Sequence, residues 1–212
     1  MAEYKLYCFA QSGNSYKAAL MLNLCRLDWE ARRVAYFDGE TRTPEYRGAI
    51  NEMGEAPVLV HGGLTLTQSG VILDYLAERS RRFGPKSDDE RREIWRWILF
   101  DNHKFTSYLA TLRFMRTFTN AGDSPVTEFL KGRADANLAL VEKHLATRDF
   151  MLGKRLTIAD VSMCGYLYFG DELGVDLGAH RAIAKWLDRI AAQPGWKHPY
   201  ELMPRAWPAK AS

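Results

Sequence analysis

The chain has 212 residues, of which 47% are hydrophobic and 26% are charged, a composition typical of a globular protein with one large or two small domains. The formal net charge is only +3, and acidic residues interrupt the densest basic stretch, residues 79–92, which favours a solvated helix end over a nucleic-acid surface. The chain starts without an apolar signal region and no segment approaches the length of a membrane span, so we expect a cytoplasmic protein that binds no membrane. The three cysteines lie far apart, without a C-x-x-C pair, and predict neither a disulfide framework nor a metal site.

The first part of the chain predicts a βαβ unit. An apolar, aromatic run over residues 4–10 predicts a buried strand, and Gln-Ser-Gly-Asn ends it. A short apolar helix is predicted to begin at Ser15, with Ser15 as its N-cap. Residues 29–36 form a second strand candidate, charged enough to lie at a sheet edge. One helix between two such strands indicates a parallel pair. Residues 38–53 predict a loop with a short helix around 44–48.

Two short runs of β-type residues, 58–60 and 64–67, flank a His-Gly-Gly turn and predict a hairpin. Pro57 stands at the start of the first run, where a strand tolerates a missing N–H, and a proline there can also be cis. After the hairpin, Ser69 is placed to be the N-cap of the next helix. Strand, hairpin and helix N-terminus therefore converge on Gln68 and Ser69, where backbone N–H groups favour an anion.

The pattern changes at Phe83-Gly84-Pro85. These residues predict a linker over residues 83–89, between a first domain at 1–82 and a second at 90–212. The apolar residues of the second domain keep helical spacing, so we expect an all-helical domain after an α/β domain. Its main predicted helices cover residues 90–118, 126–146 and 179–192.

Two helix starts in the second half are marked by capping residues. Ser124 is predicted to cap a helix whose first position is Pro125. The sequence Thr157-Ile-Ala-Asp160 resembles a capping box with Asp in place of Glu. From Trp196 onward the chain is rich in proline and tryptophan, and we expect an irregular tail.

Three local motifs follow one another along the chain: Ser12-Gly13-Asn14-Ser15 after the first strand, Ala56-Pro57-Val58-Leu59 leading to Gln68-Ser69, and Leu156-Thr157-Ile158-Ala159-Asp160. In this order and at these spacings they resemble the cytosolic glutathione transferase superfamily, along nearly the whole chain. The resemblance implies a thioredoxin-like first domain of the form βαβ–ββα, a helical second domain and a homodimer.

The resemblance also implies that glutathione is the co-substrate and binds along the hairpin of the first domain. Ala56 or Val58, on either side of Pro57, would offer backbone groups to its cysteinyl part, as an added strand does. Gln68 and Ser69 would hold the γ-glutamyl carboxylate. Arg42 is our candidate for binding the glycyl carboxylate. Asp101 is our candidate for the acidic residue that reaches across a dimer to the γ-glutamyl amine of the glutathione bound to the partner subunit.

Three residues qualify as the donor that stabilises the glutathione thiolate, which is the reactive form of the thiol. Ser12 matches the catalytic serine of theta-like and zeta-like classes, and we rank it first. Asn14 matches an asparagine near sulfur in the bacterial Nu class, and Ser15 is third. Because no cysteine lies between Gln11 and Ser15, a mixed disulfide with glutathione is not expected.

The long helix is expected to line a pocket for the second substrate. The candidate lining residues are Phe105, Tyr108, Leu112, Arg113 and Met115. We therefore predict a glutathione transferase whose bound thiolate attacks a small hydrophobic electrophile. A glutathione-dependent disulfide reductase and a non-catalytic module that binds glutathione or a protein are the alternatives. The zeta-like pattern Ser-Ser-Cys-Ser is replaced here by Gly13 and Asn14 at its middle positions, which argues against maleylacetoacetate isomerase activity.

Overall fold

A computed structural model of the chain describes residues 2–119 and 121–206. They form two compact units. The first contains residues 2–82 together with 194–206, and the second contains residues 83–193.

The first unit is built on a four-stranded mixed sheet. In chain order, β1 is Tyr4–Cys8, helix α1 is Gly13–Leu24, β2 is Trp29–Arg33, β3 is Val58–His61 and β4 is Leu64–Thr67. The strands lie side by side in the order β2-β1-β3-β4. β1 is parallel to β2 and antiparallel to β3, and β4 closes the sheet antiparallel to β3. This arrangement confirms the predicted βαβ–ββα unit.

Helix α1 is buried along almost its whole length, which is why its sequence is apolar on every side. It packs against β1 and against helix α3, Ser69–Ser80. Between β2 and β3 the chain forms the short helix α2, Pro44–Ala49, close to the predicted 44–48. The rest of this connection is irregular and includes a 3-10 turn over Glu40–Arg42.

The second unit is helical, as predicted. Its helices are α4 (Asp88–Phe100), α5 (Thr106–Arg113), α6 (Pro125–Leu145), α7 (Ile158–Met163) and α8 (Arg181–Ala191). The predicted long helix over residues 90–118 consists of α4, a π-helical turn at Asp101–Phe105, α5 and a second π-helical turn at Phe114–Phe118.

Both predicted capping motifs of the second unit are confirmed. Ser124 and Thr127 form a capping box at the start of α6, with Pro125 at the first helical position. Thr157 and Asp160 form another at the start of α7. The Asp160 carboxylate is completely buried and also accepts hydrogen bonds from Met151 N, at 2.7 Å, and from Trp186 Nε1, at 2.9 Å.

The described part of the tail belongs to the first unit, whereas the sequence predicted that it belongs to the helical domain at residues 90–212. It contains a short helix, α9, at Pro199–Leu202, and it adds Ala206 to an apolar cluster with Phe9, Val34 and Tyr46. The sequence pattern shows that the tail is rich in apolar residues, but it does not show against which part of the protein these residues pack. The last six predicted tail residues, 207–212, lie outside the described residues.

Within the described part of the chain, no helix is both long enough and apolar enough to cross a bilayer.

Candidate functional site

The N-terminus of α1 lies directly after β1 and contains the three candidate donors. Ser12 is the N-cap, with an extended backbone, and its Oγ accepts a hydrogen bond from Ser15 N at 3.1 Å. The prediction that Ser15 caps this helix was therefore wrong: the helix begins at Gly13, and Ser15 is its third residue. Because the Ser12 Oγ accepts the cap bond, its own hydrogen stays available for donation.

Two further polar groups in this first turn have no hydrogen-bond partner among the described residues. They are the buried oxygen atoms Asn14 Oδ1 and Ser15 Oγ. Ser15 is 0% exposed, whereas Asn14 is partly exposed and Ser12 is 6% exposed. Of the three candidate donors, only Asn14 is therefore partly exposed, whereas Ser12 is nearly enclosed and Ser15 is fully enclosed.

The buried cysteine and tyrosines of the first unit are poor sources of an anion. Cys8, at the end of β1, is completely buried, and burial raises the pKa of its thiol to about 12. Burial also raises the pKa of Tyr4. It raises the pKa of Tyr46 to about 12. These groups stay protonated at neutral pH, so a reactive thiolate at this turn would have to come from a ligand.

The peptide bond between Ala56 and Pro57 is cis. Val58 follows as the first residue of β3, where it is paired with Tyr7 on one side and Thr67 on the other. A residue inside a sheet uses its backbone groups in the ladder. Ala56 precedes this register and is half-buried, so it is the better placed of the two predicted residues to pair with a bound peptide.

The N-terminus of α3 differs from its prediction by one residue. Gln68 is the N-cap, with a positive φ of 65°, and Ser69 is the first helical residue rather than the cap. The Gln68 side chain does not bond to the helix. Its Nε2 instead donates to Glu55 Oε2 at 2.9 Å and contacts Met53 Sδ at 3.4 Å.

Two of the predicted glutathione-binding residues, Arg42 and Asp101, belong to neither of these two helix starts. Arg42 is exposed at the end of the 3-10 turn Glu40–Arg42. Asp101 is 0% exposed, and its carboxylate accepts hydrogen bonds from Thr106 Oγ1 and Ser162 Oγ, at 2.6 and 2.5 Å. The prediction that Asp101 reaches a partner subunit was wrong, because this carboxylate is enclosed within its own unit.

The predicted second-substrate residues are divided between core and surface. Phe105, Leu112 and Arg113 are at most 2% exposed. Arg113 donates to Glu172 Oε2 from Nε at 3.0 Å and lies over the Phe169 ring at 3.7 Å. These three residues belong to the core of their unit, and naming them as pocket lining was wrong. Tyr108 and Met115 are partly exposed, and their role in lining a pocket stays a prediction.

Two family models match the chain. Residues 11–79 match the model described as "Glutathione S-transferase, N-terminal domain", and residues 103–194 match "Glutathione S-transferase, C-terminal domain". The chain belongs to the glutathione S-transferase family. The N-terminal family match contains both helix starts and the cis-proline, and the C-terminal family match ends where the tail begins.

Single known proteins are similar to this chain over nearly its full length. Maleylacetoacetate isomerase of Pseudomonas aeruginosa is 30% identical over 205 residues, covering 92% of this chain and 95% of that protein. The crystal structure of a glutathione S-transferase from Pseudomonas fluorescens Pf-5 has a TM-score of 0.87 at 31% identity and covers 94% of this chain and 100% of that one. A possible glutathione S-transferase from Rhodopseudomonas palustris also has a TM-score of 0.87, at 32% identity, with 99% and 97% coverage.

One polar residue next to these predicted residues was not assigned a role from the sequence. It is Glu55, whose carboxylate accepts a hydrogen bond from the Gln68 side chain. Its position two residues ahead of the cis-proline was the available signal. Among residues 2–119 and 121–206, no group of His, Cys, Asp and Glu side chains is arranged to hold a metal ion.

Proposed function

We propose that this glutathione S-transferase family member binds glutathione beside the cis-proline and activates its thiol for attack on a small hydrophobic electrophile. The observation that supports the proposal best is the Ser12 hydroxyl. It accepts the cap bond from Ser15 N and keeps a hydrogen for donation to a sulfur anion. In this proposal Ser12 contacts the sulfur, and Asn14 is the second donor through Nδ2.

The energies involved are sufficient for thiol activation. A hydrogen bond to a charged group contributes roughly 1.5–3 kcal/mol, and one pKa unit corresponds to about 1.4 kcal/mol. A single hydroxyl donor therefore lowers the pKa of the bound thiol by about one to two units. The N-terminus of α1 adds roughly 0.3–1 kcal/mol in the same direction. Much of the bound thiol would then be ionised near neutral pH.

The peptide part of glutathione would be held by the two segments that meet near β3. The backbone of Ala56 would pair with the cysteinyl residue, and Gln68 and Ser69 would bind the γ-glutamyl carboxylate at the start of α3. Arg42 remains our candidate for the glycyl carboxylate. A homodimer is part of the proposal because the family resemblance implies one.

The test separates the chemistry of Ser12 from its capping role. An N-cap serine replaced by alanine costs about 1 kcal/mol of stability, but replacement by glycine costs only a few tenths. Ser12→Gly therefore removes the hydroxyl and nearly keeps the cap. We expect Ser12→Gly to lower turnover at neutral pH about 10- to 100-fold, because the thiol pKa rises by about one to two units. Glutathione affinity should be almost unchanged.

The readouts are conjugation kinetics with a broad panel of electrophiles and the pH dependence of the ultraviolet absorbance of the bound thiolate. Asn14→Ala and the double variant with Ser12→Gly are measured in parallel. Full activity in all three variants contradicts the mechanism. Retention of the parent protein on immobilised glutathione, with neither conjugation nor disulfide reduction, would favour the non-catalytic module.

A second candidate reaction is isomerisation of an activated carbon–carbon double bond. It is favoured by the 30% identity to a maleylacetoacetate isomerase and opposed by Gly13 and Asn14 in the first motif. An isomerase returns glutathione unchanged after each turnover, whereas a conjugating transferase consumes it. Measuring free thiol during conversion of a cis-enone diacid therefore distinguishes the two reactions.

A further inference from the structure

A glutamate, a histidine and a tyrosine form a chain of hydrogen bonds on the first unit, at the end of β3 that lies away from the cis-proline. His61 is the last residue of β3, and its ring contacts Tyr75 Oη through Nδ1, at 2.6 Å, and Glu3 Oε1 through Nε2, at 3.0 Å. Because a carboxylate only accepts hydrogen bonds, the neutral His61 ring carries its hydrogen on Nε2 and donates it to Glu3. Nδ1 then keeps its lone pair and accepts the hydrogen of the Tyr75 hydroxyl.

The His61 ring is also held by a stacked neighbour. Tyr4 lies parallel to it, with ring centroids 4.1 Å apart and 15° between the ring planes. Tyr4 is 2% exposed and is the partner of His61 in the pairing of β1 with β3. The imidazole is therefore fixed between a buried ring and a carboxylate, whereas Tyr75, the residue that it faces, is partly exposed.

A positive charge lies near the Tyr75 hydroxyl. Arg79 follows Tyr75 by four residues in α3, so the two side chains share one face of that helix. The Arg79 side chain donates a hydrogen bond to the hydroxyl of Tyr4, the residue that stacks on His61. A fixed cation beside a reacting oxygen favours the negative charge that develops during nucleophilic attack. None of these residues belongs to the proposed glutathione site.

A carboxylate that orients an imidazole, which in turn accepts the hydrogen of a hydroxyl, is the arrangement that activates a nucleophile. We propose that Tyr75 is a nucleophile that takes up the acyl group of an activated ester, with His61 as general base and Glu3 as the residue that positions His61. The Tyr75 oxygen attacks the ester carbonyl carbon while its proton passes to His61 Nδ1. The bond from that carbon to the leaving oxygen breaks, and the leaving group takes the proton from His61.

The product is a tyrosine ester, and no atom changes its oxidation state in the transfer. Because a tyrosine ester is itself an aryl ester, the acyl donor must be at least as activated as the product. This requirement restricts the substrate class to aryl esters and acyl compounds of similar reactivity. The reaction uses no glutathione, so it is independent of the proposed transferase activity.

The experiment treats the full chain with 4-nitrophenyl acetate in the absence of glutathione. Absorbance measures the release of 4-nitrophenolate, and peptide mass spectrometry measures the rate of acetylation at each residue. Tyr108 is the internal reference, because it is also partly exposed but contacts no histidine among residues 2–119 and 121–206. We expect Tyr75 to be acetylated at least about 100-fold faster than Tyr108, the lower end of the range for general-base catalysis.

Three variants test the roles of the two partners. His61→Phe keeps a ring that can stack on Tyr4 but removes the base, so acetylation of Tyr75 should slow by about 100-fold as well. Glu3→Gln should also slow it, and Glu3→Asp, which keeps a carboxylate, should restore part of the lost rate. Thermal unfolding shows whether each variant is folded.

Equal acetylation rates at Tyr75 and Tyr108 in the parent protein overturn the proposal, whatever the variants show. An unchanged rate at Tyr75 in folded His61→Phe overturns it too, because the imidazole would then play no part. If Glu3→Asp is as slow as Glu3→Gln, Glu3 does not position the base. If His61→Phe does not fold, the ratio of the two rates in the parent decides.

Discussion

The Ser12 hydroxyl has two hydrogen-bonding capacities, and the helix uses one of them. Capping α1 requires an oxygen that accepts from Ser15 N, whereas stabilising a thiolate requires a hydrogen to donate. A hydroxyl group satisfies both needs at once. A carboxylate would cap the helix equally well, but it would repel the sulfur anion. The residue type at position 12 is therefore restricted by the proposed chemistry more than by the fold.

Ser15 is a residue whose hydroxyl the fold does not use. Its Oγ is buried and has no partner within the described part of the chain, and a buried polar group in that state costs about 1–3 kcal/mol. We predict that Ser15→Ala leaves the free energy of unfolding unchanged or raises it by up to about 1 kcal/mol. Glutathione turnover should be retained. Urea unfolding and steady-state kinetics check the two parts.

Ser12→Ala is the comparison for that experiment, since it removes a cap and should cost about 1 kcal/mol. If Ser15→Ala destabilises the protein as much as Ser12→Ala, the Ser15 hydroxyl has a partner such as an ordered water. If turnover falls as well, Ser15 rather than Ser12 is the donor to sulfur.

The α4–α5 segment explains why the second-substrate residues were predicted poorly. Its two π-helical turns, Asp101–Phe105 and Phe114–Phe118, each bond from i to i+5. One additional residue rotates the side chains that follow by about 100° relative to a regular α-helix. A face assigned by regular helical spacing is therefore lost after the first π turn. Leu112 and Arg113, assigned to the pocket, lie in the core instead.

Local sequence signals predict some elements of this fold well and leave others undetermined. The hairpin and α6 were predicted to within a residue or two, because local signals define them: a His-Gly-Gly turn between β-type runs, and Ser124 before Pro125. The burial of Asp101 was not predictable, because its hydroxyl partner Ser162 comes from a distant helix. The local motifs also predicted helix starts close to Ser12 and Gln68, but they assigned the N-caps to Ser15 and Ser69.

The Glu90 carboxylate stabilises the start of α4, and this stabilisation depends on pH. Its Oε2 accepts a hydrogen bond from Lys86 N at 2.6 Å and contacts Arg155 Nη2. The Lys86 backbone bond is the largest favourable cause, with Arg155 next, and together they hold the pKa of Glu90 below its ordinary value of 4.5. A carboxyl whose folded pKa is lowered stabilises the protein above its unfolded pKa and loses that effect as pH falls through the folded value.

We therefore predict that Glu90→Gln lowers the free energy of unfolding at pH 7, and that its difference from the parent shrinks as pH falls below about 4.5. Urea unfolding of both proteins between pH 7 and pH 3.5 measures this difference. Glu128→Gln is the control, because Glu128 also lies in the first turn of a helix, is exposed where Glu90 is partly buried, and makes no ion pair among the described residues. A difference for Glu90→Gln that is constant over the whole range contradicts the assignment.

The first unit is discontinuous in sequence. Its sheet is complete by Thr67, yet residues 194–206 return to it. Tyr16 Oη donates to Lys197 O at 2.9 Å, and Ala10 N donates to Pro204 O at 2.8 Å. Ala206 N donates to Gln11 Oε1 at 3.1 Å. The last two contacts lie immediately before Ser12, so the end of the chain supports the loop that is proposed to hold the sulfur.

Gly195 is the point at which this returning segment meets α1. Its φ is +97°, and a Cβ there would lie 2.7 Å from the backbone oxygen of Asn23. That carbonyl cannot move without disturbing the end of α1, so Gly195→Ala should lower the free energy of unfolding by about 2 kcal/mol. Hydrogen exchange should show lost protection in the first unit, at amides such as Ala10 N, before any loss in α6. Gly132→Ala, in the open interior of α6, should instead raise stability by about 0.5–1 kcal/mol. If Gly195→Ala leaves the protection of Ala10 unchanged, the tail covers the first unit without supporting the Ser12 loop.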